Sequence, residues 1–355
     1  MTVLQLARPE IARLQPYVTA AQRPDTIRLN ANEAPCSAAG SGSGFNRYPP
    51  VNPDAIATRL AELYGVSKRN LLVTRGSSEA IDLLIRSFCR AYTDNIVITS
   101  PSFSMYRVYA EMQAAGVVDV PLRIGDDFAL DADSLLSACT ENSKLVFLCS
   151  PNNPSGNLLD RGSILRIIRE RAGRSVVVVD EAYIEFSDSR SLATAIDDFD
   201  NLVVLRTLSK AYGLAGVRCG GILAQESVIR LLEAMLPPYA FSTPTTDSIL
   251  AALTVDAVEA DRKLVSTTVR ERERVRLALS KLAAVTRIWP SQGNFLLVRF
   301  SDLAHITRAL LRENVLIRCF DNDPALENCA RITIGAPAEN DLLLTTIRQS
   351  SEAAT

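Results

Sequence analysis

Short apolar runs rich in valine, isoleucine and leucine alternate, along residues 54–224, with longer segments whose apolar positions recur every three or four residues. Near-continuous apolar runs are typical of strands buried on both faces, and the longer spacing is typical of helices that bury one face. The pattern predicts helices over residues 54–64, 80–89, 105–115 and 163–171, and strands over residues 71–74, 96–99, 117–120, 145–149, 176–179, 202–205 and 221–224. It therefore predicts an α/β fold whose mostly parallel sheet is flanked by helices.

The pattern changes after Pro237 and Pro238. The long, charge-rich segment 245–284 is predicted to be helical, and the remaining elements are predicted as strands over 294–298, 316–319 and 332–334 and helices over 303–313 and 340–349. This indicates a smaller α+β domain. We predict an N-terminal arm over 1–45 that belongs with the small domain, a large domain over 46–245 and a small C-terminal domain over 246–355.

The arm is predicted to be irregular, because it carries several prolines and ends in the Gly/Ser-rich run 38–44. No predicted strand precedes this run and no Gly-Lys-Ser/Thr follows it, so we interpret it as a flexible loop and not as a phosphate-binding loop.

Composition narrows the class of protein. Of the 355 residues 47% are apolar, and 38 basic against 40 acidic residues give a net charge of −2, with no basic block of the kind that binds nucleic acid. No apolar run approaches the ~20 residues of a membrane span, and the N-terminus lacks the pattern of a secretion signal. The expectation is a cytoplasmic protein without nucleic-acid or membrane partners.

Cysteine and histidine usage narrows the chemistry. The seven cysteines are odd in number and never spaced Cys-x-x-Cys, which favours reduced thiols and argues against a structural metal site. The single histidine, His305, lies in a predicted helix, so a histidine triad or metal cluster is excluded. Acid–base chemistry then falls to lysine, tyrosine, aspartate or glutamate.

Polar residues with candidate catalytic roles come directly after three of the predicted strands. Open α/β sheets bind their ligands at these strand ends. Asp180 comes directly after four valines, and Lys210 lies in a Ser/Gly-rich turn after strand 202–205. Taken alone, Asp180 is equally an N-cap or ion-pair residue, and Lys210 is more simply a surface lysine. Together, a buried acid and a sheltered amine suggest a carbonyl cofactor held as a Schiff base, with the carboxylate keeping a pyridine nitrogen protonated.

Seven motifs occur in order along the whole chain: Leu-Asn-Ala-Asn-Glu at 29–33, Asn-Arg-Tyr-Pro at 46–49, Arg-Gly-Ser-Ser-Glu at 75–79, Ser-Pro-Asn-Asn-Pro-Ser-Gly at 150–156, Asp-Glu-Ala-Tyr at 180–183, Thr-Leu-Ser-Lys-Ala-Tyr-Gly-Leu-Ala-Gly-Val-Arg at 207–218 and Arg-Ile-Thr-Ile-Gly at 331–335. With these motifs the chain resembles the fold-type I pyridoxal-phosphate aminotransferases, and among them the histidinol-phosphate aminotransferases. The resemblance implies a large domain with a mostly parallel sheet, a smaller α+β domain and pyridoxal 5'-phosphate as cofactor.

The resemblance also implies roles around the cofactor ring. Lys210 would form the imine and later move the proton between substrate and cofactor, and Asp180 would pair with the pyridinium nitrogen. Tyr183 and Asn153 would donate to the ring phenolate oxygen, and Phe103 would stack on the ring.

The cofactor phosphate would meet a cradle of backbone amides, hydroxyls and one guanidinium. The residues implied are Gly76, Ser77, Ser78, Thr207, Ser209 and Arg218. We expect the backbone of 76–78 to matter more than the two serine hydroxyls, which serve equally as helix caps. Tyr48 matches the tyrosine that reaches this phosphate from the partner subunit, which implies a homodimer with shared active sites.

Substrate binding is implied for four residues. Arg331 would clamp the carboxylate of glutamate and the phosphate of histidinol phosphate, helped by Arg318, while Tyr17 and Asn32 would line the pocket. Arg318 is also open to interpretation as a surface ion pair and Tyr17 as a packing residue, and Glu33 is expected only to orient Asn32.

The implied reaction is transamination between histidinol phosphate and 2-oxoglutarate in histidine biosynthesis. Aromatic amino-acid transamination is the nearest alternative, and a threonine-phosphate decarboxylase is weaker because residues 211–216 keep Ala-Tyr-Gly-Leu-Ala-Gly. A regulator with a DNA-binding module is not expected, since only the first 45 or so residues precede the core and carry no helix-turn-helix pattern. A dinucleotide-dependent oxidoreductase is excluded, because no Gly-x-Gly-x-x-Gly follows a strand.

Overall fold

A computed structural model describes residues 2–17, 19–22, 26–37, 44–320 and 323–352. Most of the Gly/Ser-rich run predicted as a flexible loop, residues 38–43, lies outside this described part. The predicted division into domains at residues 45 and 245 stays a prediction.

Seven strands form the larger sheet. They are β1 (Leu71–Thr74), β2 (Asn95–Ile98), β3 (Gly116–Asp119), β4 (Ser143–Cys149), β5 (Val176–Asp180), β6 (Leu202–Thr207) and β7 (Gly220–Leu223). Their order is β1-β7-β6-β5-β4-β2-β3, and only β7 runs antiparallel to its neighbours. The mostly parallel sheet predicted from the apolar runs is therefore confirmed.

Helices cover both faces of this sheet. They are α2 (Asp54–Tyr64), α3 (Gly76–Phe88), α4 (Met105–Met112), α5 (Ala132–Ala138), α6 (Arg161–Glu170), α7 (Glu226–Glu233) and α8 (Thr243–Ala252), and the short α1 (Pro9–Ala12) precedes them. Alternate valines of β5 enter different cores: Val177 and Val179 pack on one face, Val176 and Val178 on the other. All four are fully buried, which explains why β5 is apolar throughout and not alternating.

The smaller sheet is antiparallel, in the order β10-β11-β9-β8. Its strands are β8 (Val285–Ile288), β9 (Phe295–Phe300), β10 (Arg318–Cys319) and β11 (Cys329–Thr333). Helices α9 (Val255–Leu279), α10 (Leu303–Arg312) and α11 (Pro337–Glu352) accompany it. His305 lies in α10 as predicted. No helix in the described ranges is long and apolar enough to cross a membrane.

One expectation for this part of the chain was wrong, and one strand was missed. The segment 245–284 is not one helix: α8 ends at Ala252, and α9 begins after Thr254, whose side chain accepts from the Ala257 amide and caps it. Strand β8 was not predicted, because polar Thr286 and Arg287 interrupt its apolar pattern and its residues are only partly buried or exposed.

The N-terminal residues pack against the unit that contains the larger sheet. Val3, Leu6 and Ile11 are buried, and the Arg8 amide and guanidinium donate to the carbonyls of Ser87 and Arg86 at the end of α3. Residues Val3–Leu6 form a 3₁₀ turn and Pro9–Ala12 a short helix, so the arm is less irregular than predicted.

Candidate active site

The carboxyl ends of β4, β5 and β6 open into a cavity of about 190 Å³. It is lined by most of the residues predicted to bind cofactor or substrate, which are Ser77, Ser78, Phe103, Asn153, Asp180, Tyr183, Thr207, Ser209, Lys210, Arg218 and Arg331. These residues come from both sheets, from the first turn of α3 and from loops, and they span more than 200 positions in sequence, from Ser77 to Arg331. Parallel strands that end at one edge bring such distant segments together.

A larger cavity, of about 560 Å³, lies beside β1 between α2 and α7. Its charged side chains are mostly exposed and paired with one another, as Lys68 is with Asp54 and Arg69 with Glu226. It holds none of the predicted site residues. We therefore take the smaller cavity as the candidate active site, because chemistry and not volume distinguishes it.

Asp180 ends β5 and is only 3% exposed. The Tyr106 hydroxyl donates to its Oδ2 at 2.8 Å, and the Ala182 amide donates to its Oδ1 at 3.1 Å. Burial raises the pKa of this carboxyl, while these two hydrogen bonds and the charge of Lys210 act in the opposite direction. The result is a sheltered acid that faces the cavity.

Lys210 lines the same cavity, with its Nζ 5.6 Å from the centroid of the Tyr183 ring. Desolvation lowers its pKa, and the nearby cations of Arg331 and Arg218 lower it further, against the pull of Asp180. A lower pKa increases the fraction of neutral amine, which is the nucleophilic form. The Lys210 side chain is exposed, as expected of a surface lysine, but it lines the cavity that also holds Asp180.

The first turn of α3 and the loop after β6 form a cradle suited to an anion. Helix α3 begins at Gly76, so Ser77 and Ser78 lie in its first turn, where backbone amides point outward. The Arg218 guanidinium donates to the Ser209 hydroxyl at 3.3 Å and to the Ala215 carbonyl at 3.1 Å. Hydroxyls, amides and a guanidinium at one place provide strong donors for a phosphate.

Gly76 is required for this cradle on two counts. Its φ is +78°, a left-handed conformation that favours glycine. A Cβ at this position would lie 2.8 Å from Nη2 of Arg218, so any side chain would displace the guanidinium. The glycine predicted to bind the phosphate thus also leaves room for the arginine.

Arg331 connects the smaller sheet to the loop after β4. Its Nη1 donates to the Asn153 side-chain oxygen, and its guanidinium carbon lies 5.5 Å from the centroid of the Phe295 ring. Phe295 in turn contacts the Tyr183 ring edge-on at 5.1 Å. Because the oxygen of Asn153 is occupied, its NH₂ group remains as a donor for an anionic oxygen in the cavity.

Four predicted substrate or partner residues do not line the cavity. Tyr48 is 48% exposed and stacks on Tyr239 at 4.5 Å, and Tyr17 is 70% exposed near the Pro237 loop. Asn32 has a left-handed backbone with φ +54°. Arg318 is exposed on β10, directly opposite Arg331 of β11, so the two arginines share one face of the small sheet.

Glu33 has different contacts from those expected. Its carboxylate is 2% exposed and binds the guanidinium groups of Arg28 and Arg47, the latter at 2.8 Å. It also accepts from the Tyr48 amide at 2.8 Å. Glu33 therefore orders the segment that carries Tyr48, a role that the motif alone did not indicate.

Several residues at the site were not predicted from the sequence. Cys149 and Ala182 line the cavity, Phe295 packs under Arg331, and Tyr106 binds Asp180. Tyr106 lies in the first turn of α4, three residues after Phe103, and nothing in the sequence pattern distinguishes it from a core residue of that helix.

Comparison with known proteins shows the family to which the chain is similar. The model of the family "Aminotransferase class I and II" matches residues 15–347. The histidinol-phosphate aminotransferase of Xanthomonas euvesicatoria pv. vesicatoria is 41% identical over 358 residues, which span 99% of this chain and 98% of that protein.

Two solved structures are similar in fold. Histidinol-phosphate aminotransferase from Sinorhizobium meliloti, in complex with pyridoxal-5'-phosphate, has a TM-score of 0.77 at 24% identity and covers 87% of this chain and 84% of that one. L-threonine-O-3-phosphate decarboxylase from Porphyromonas gingivalis has a TM-score of 0.72 at 27% identity, and the match covers 87% of this chain and 91% of that one.

Proposed function

This chain belongs to the histidinol-phosphate aminotransferases, within the class I and II aminotransferases, and on that premise we propose that it moves an amino group between histidinol phosphate and 2-oxoglutarate. The products are imidazole acetol phosphate and glutamate, and the reaction belongs to histidine biosynthesis. The observation that carries the proposal is one cavity lined by an amine, Lys210, a buried acid, Asp180, and an anion cradle around Arg218.

The residues present fit pyridoxal 5'-phosphate. The cradle of Ser77, Ser78, Thr207, Ser209 and Arg218 would hold the phosphate, with Gly76 leaving room for the guanidinium. Phe103 would lie against the ring, and Asn153 and Tyr183 would donate to its phenolate oxygen. When bound, this group supplies the carbonyl that accepts the amino group and a ring that withdraws electrons from the substrate carbon.

Within this site the protein's own groups bind, orient and move protons. Asp180 would hold a proton on the ring nitrogen, since a carboxylate there stabilises the cationic form. Lys210, with its lowered pKa, would act as the base that takes the proton from the substrate carbon and later returns one as an acid. Burial raises the pKa of Tyr183 well above its usual range, so its hydroxyl stays a donor.

Substrate recognition is proposed to rest on the two arginines that face each other across β10 and β11. Arg331 would bind the glutamate carboxylate and the phosphate of histidinol phosphate, and Arg318 would add a second cation for the larger anion. Tyr17 and Asn32 are proposed to contact substrate as well, although neither lines the cavity of this chain by itself.

A homodimer with shared active sites would bring Tyr48 to the phosphate cradle of the partner. Exposed apolar side chains in the segments around Tyr48 support this part of the proposal. Phe45 precedes Tyr48 by three residues and is 53% exposed. Ile27 and Leu29, which flank the Arg28 that pairs with Glu33, are 90% and 92% exposed. Clustered exposure of this kind marks a surface that a second molecule covers.

The compartment is proposed to be the cytoplasm. All seven cysteines are free thiols, as a reducing environment requires.

Two assays test the substrate, one of 2-oxoglutarate consumption and one of carbon dioxide release. The initial rate of 2-oxoglutarate consumption should be far higher with histidinol phosphate than with phenylalanine or with unphosphorylated histidinol. Equal rates with phenylalanine would support the aromatic alternative. Release of carbon dioxide from threonine phosphate would support the decarboxylase, whose fold is also similar.

A further inference from the structure

Tyr106 lies in α4, outside the group of residues that line the cavity, and is 1% exposed. Its hydroxyl donates to Oδ2 of Asp180 at 2.8 Å, while the Ala182 amide donates to Oδ1. The buried carboxylate therefore has one donor from the protein on each of its oxygens. Among the described residues, Tyr106 provides the only side-chain donor to this carboxylate.

We propose that Tyr106 is a positioning residue for the reaction: its hydroxyl holds Asp180 ionised and oriented toward the ring nitrogen of the bound cofactor. This inference rests on the proposed function. It concerns a residue that touches neither substrate nor cofactor and acts through Asp180.

The first support is electrostatic. A carboxylate taken out of water becomes protonated unless donors or cations stabilise its charge. A protonated Asp180 could not stabilise a proton on the ring nitrogen. The Tyr106 hydrogen bond favours the ionised form, and Tyr106 cannot itself lose the proton, because burial and the charge of Asp180 raise its pKa well above the usual range.

The second support is packing, which fixes where the hydroxyl points. The Tyr106 ring stacks on Phe147 with centroids 4.8 Å apart and an interplanar angle of 17°. Its edge meets the Phe103 ring at 5.6 Å and 87°. A ring held on two sides keeps its hydroxyl on Asp180, so ring packing and hydrogen bonding can be separated by removing the oxygen alone.

The test measures binding of cofactor to the apoenzyme, without turnover. The variant is Tyr106→Phe, and the matched control is Tyr109→Phe, the same chemical change one turn later on the same helix. The ligands are pyridoxal phosphate and its carbocyclic analogue, in which a C–H replaces the ring nitrogen. Dissociation constants are measured by fluorescence or by equilibrium dialysis.

The expected result is a loss of about tenfold in affinity of Tyr106→Phe for pyridoxal phosphate, as for one charge-assisted hydrogen bond, and no loss for the analogue. Tyr109→Phe should bind both compounds like the unmodified protein. An equal loss of affinity for both compounds would mean that Tyr106 has only a packing role. No loss of affinity for either compound would mean that Tyr106 does not position Asp180. If the unmodified protein binds neither compound, the proposed function itself fails, an outcome separate from the other two.

Discussion

Asp180 is buried, whereas Lys210 is exposed and lines the same cavity. Desolvation lowers the pKa of the Lys210 amine and raises the pKa of the Asp180 carboxyl, so each is shifted toward its neutral form. The lowered pKa suits the base proposed for Lys210, while the Tyr106 and Ala182 hydrogen bonds oppose the raised pKa of Asp180, whose proposed role requires the ionised form. Lys210 is also the only lysine that lines this cavity in the part of the chain that the structure describes.

The first prediction concerns covalent attachment. Borohydride reduction of the protein with pyridoxal phosphate should add the mass of the reduced cofactor to the intact chain, and Lys210→Ala should abolish that addition. Lys281→Ala, a change at a surface lysine, should leave it intact. Mass spectrometry reads both, and an adduct that survives in Lys210→Ala would place the reactive amine elsewhere.

The second prediction uses two glycines that both have a positive φ. Gly65 and Gly76 have φ values of +66° and +78°, but only a Cβ at Gly76 would meet Arg218. Alanine at either position should cost roughly 1 kcal/mol of stability, because a side chain strains a left-handed backbone. Only Gly76→Ala should also weaken cofactor binding, by about tenfold for one disturbed charged contact. Equal affinity in the two variants would show that the space that Gly76 leaves for Arg218 is not needed for phosphate binding.

The third prediction concerns Arg331. Replacing it with alanine should lower kcat/KM by about 100-fold for both glutamate and histidinol phosphate, since a forked charged contact is lost with each donor. Steady-state kinetics with each donor provide the measurement. A large loss with glutamate alone would mean that the phosphate of histidinol phosphate is held elsewhere.

Among the structural elements, strands β4, β5 and β6 were predictable because their residues are apolar on both faces. The polar residues directly after these strands could be assigned to the site for the same reason. The end of a buried strand determines where the first polar side chain lies. Strand β8 and the break between α8 and α9 were not predictable. The strand depends on tertiary packing. The break depends on a single cap, Thr254, within a strongly helical sequence.

The sequence predicted which residues form the site better than it predicted the contacts that these residues make. Tyr106 belongs to the apolar pattern of α4 and differs from a core residue only in its hydroxyl. Glu33 lies in a motif whose neighbours suggested a role beside Asn32, yet its partners are 5, 14 and 15 residues away. A one-dimensional sequence does not indicate which arginine a buried carboxylate will meet.

The fourth prediction belongs to the segment that Glu33 orders. Desolvation raises the pKa of Glu33, but the Tyr48 amide, Arg47 and Arg28 together lower it below its usual value. Glu33→Gln removes that charge, so the Tyr48 amide should exchange hydrogen for deuterium faster. Glu62→Gln, on an exposed i,i+3 pair with Arg59, is the control and should leave that exchange unchanged. Unchanged exchange in Glu33→Gln would mean that other contacts order the segment.

At the scale of the whole molecule, the cavity formed by one chain lacks the aromatic residue that its cradle is proposed to receive. Tyr48 lies outside the cavity beside Tyr239, among exposed apolar side chains. An assembly of two chains would cover these side chains and complete both sites at once.

The fifth prediction tests this sharing. Lys210→Ala and Tyr48→Ala subunits, each of low activity alone, are mixed under conditions that allow subunit exchange. One site of the hybrid then carries both defects and the other carries none, so the activity should exceed that of either parent. A mixture with the average activity of its parents would show that each site is built from one chain.

The central claim is that Lys210 and Asp180 act on the same cofactor ring. Its most direct test is the visible absorbance of the purified protein with pyridoxal phosphate, recorded while histidinol phosphate is added without 2-oxoglutarate. The account predicts that the colour of the bound aldehyde form is replaced by the spectrum of the pyridoxamine form, and that 2-oxoglutarate restores it. A protein that remains colourless with the vitamin, or whose spectrum does not respond to histidinol phosphate, would contradict the account.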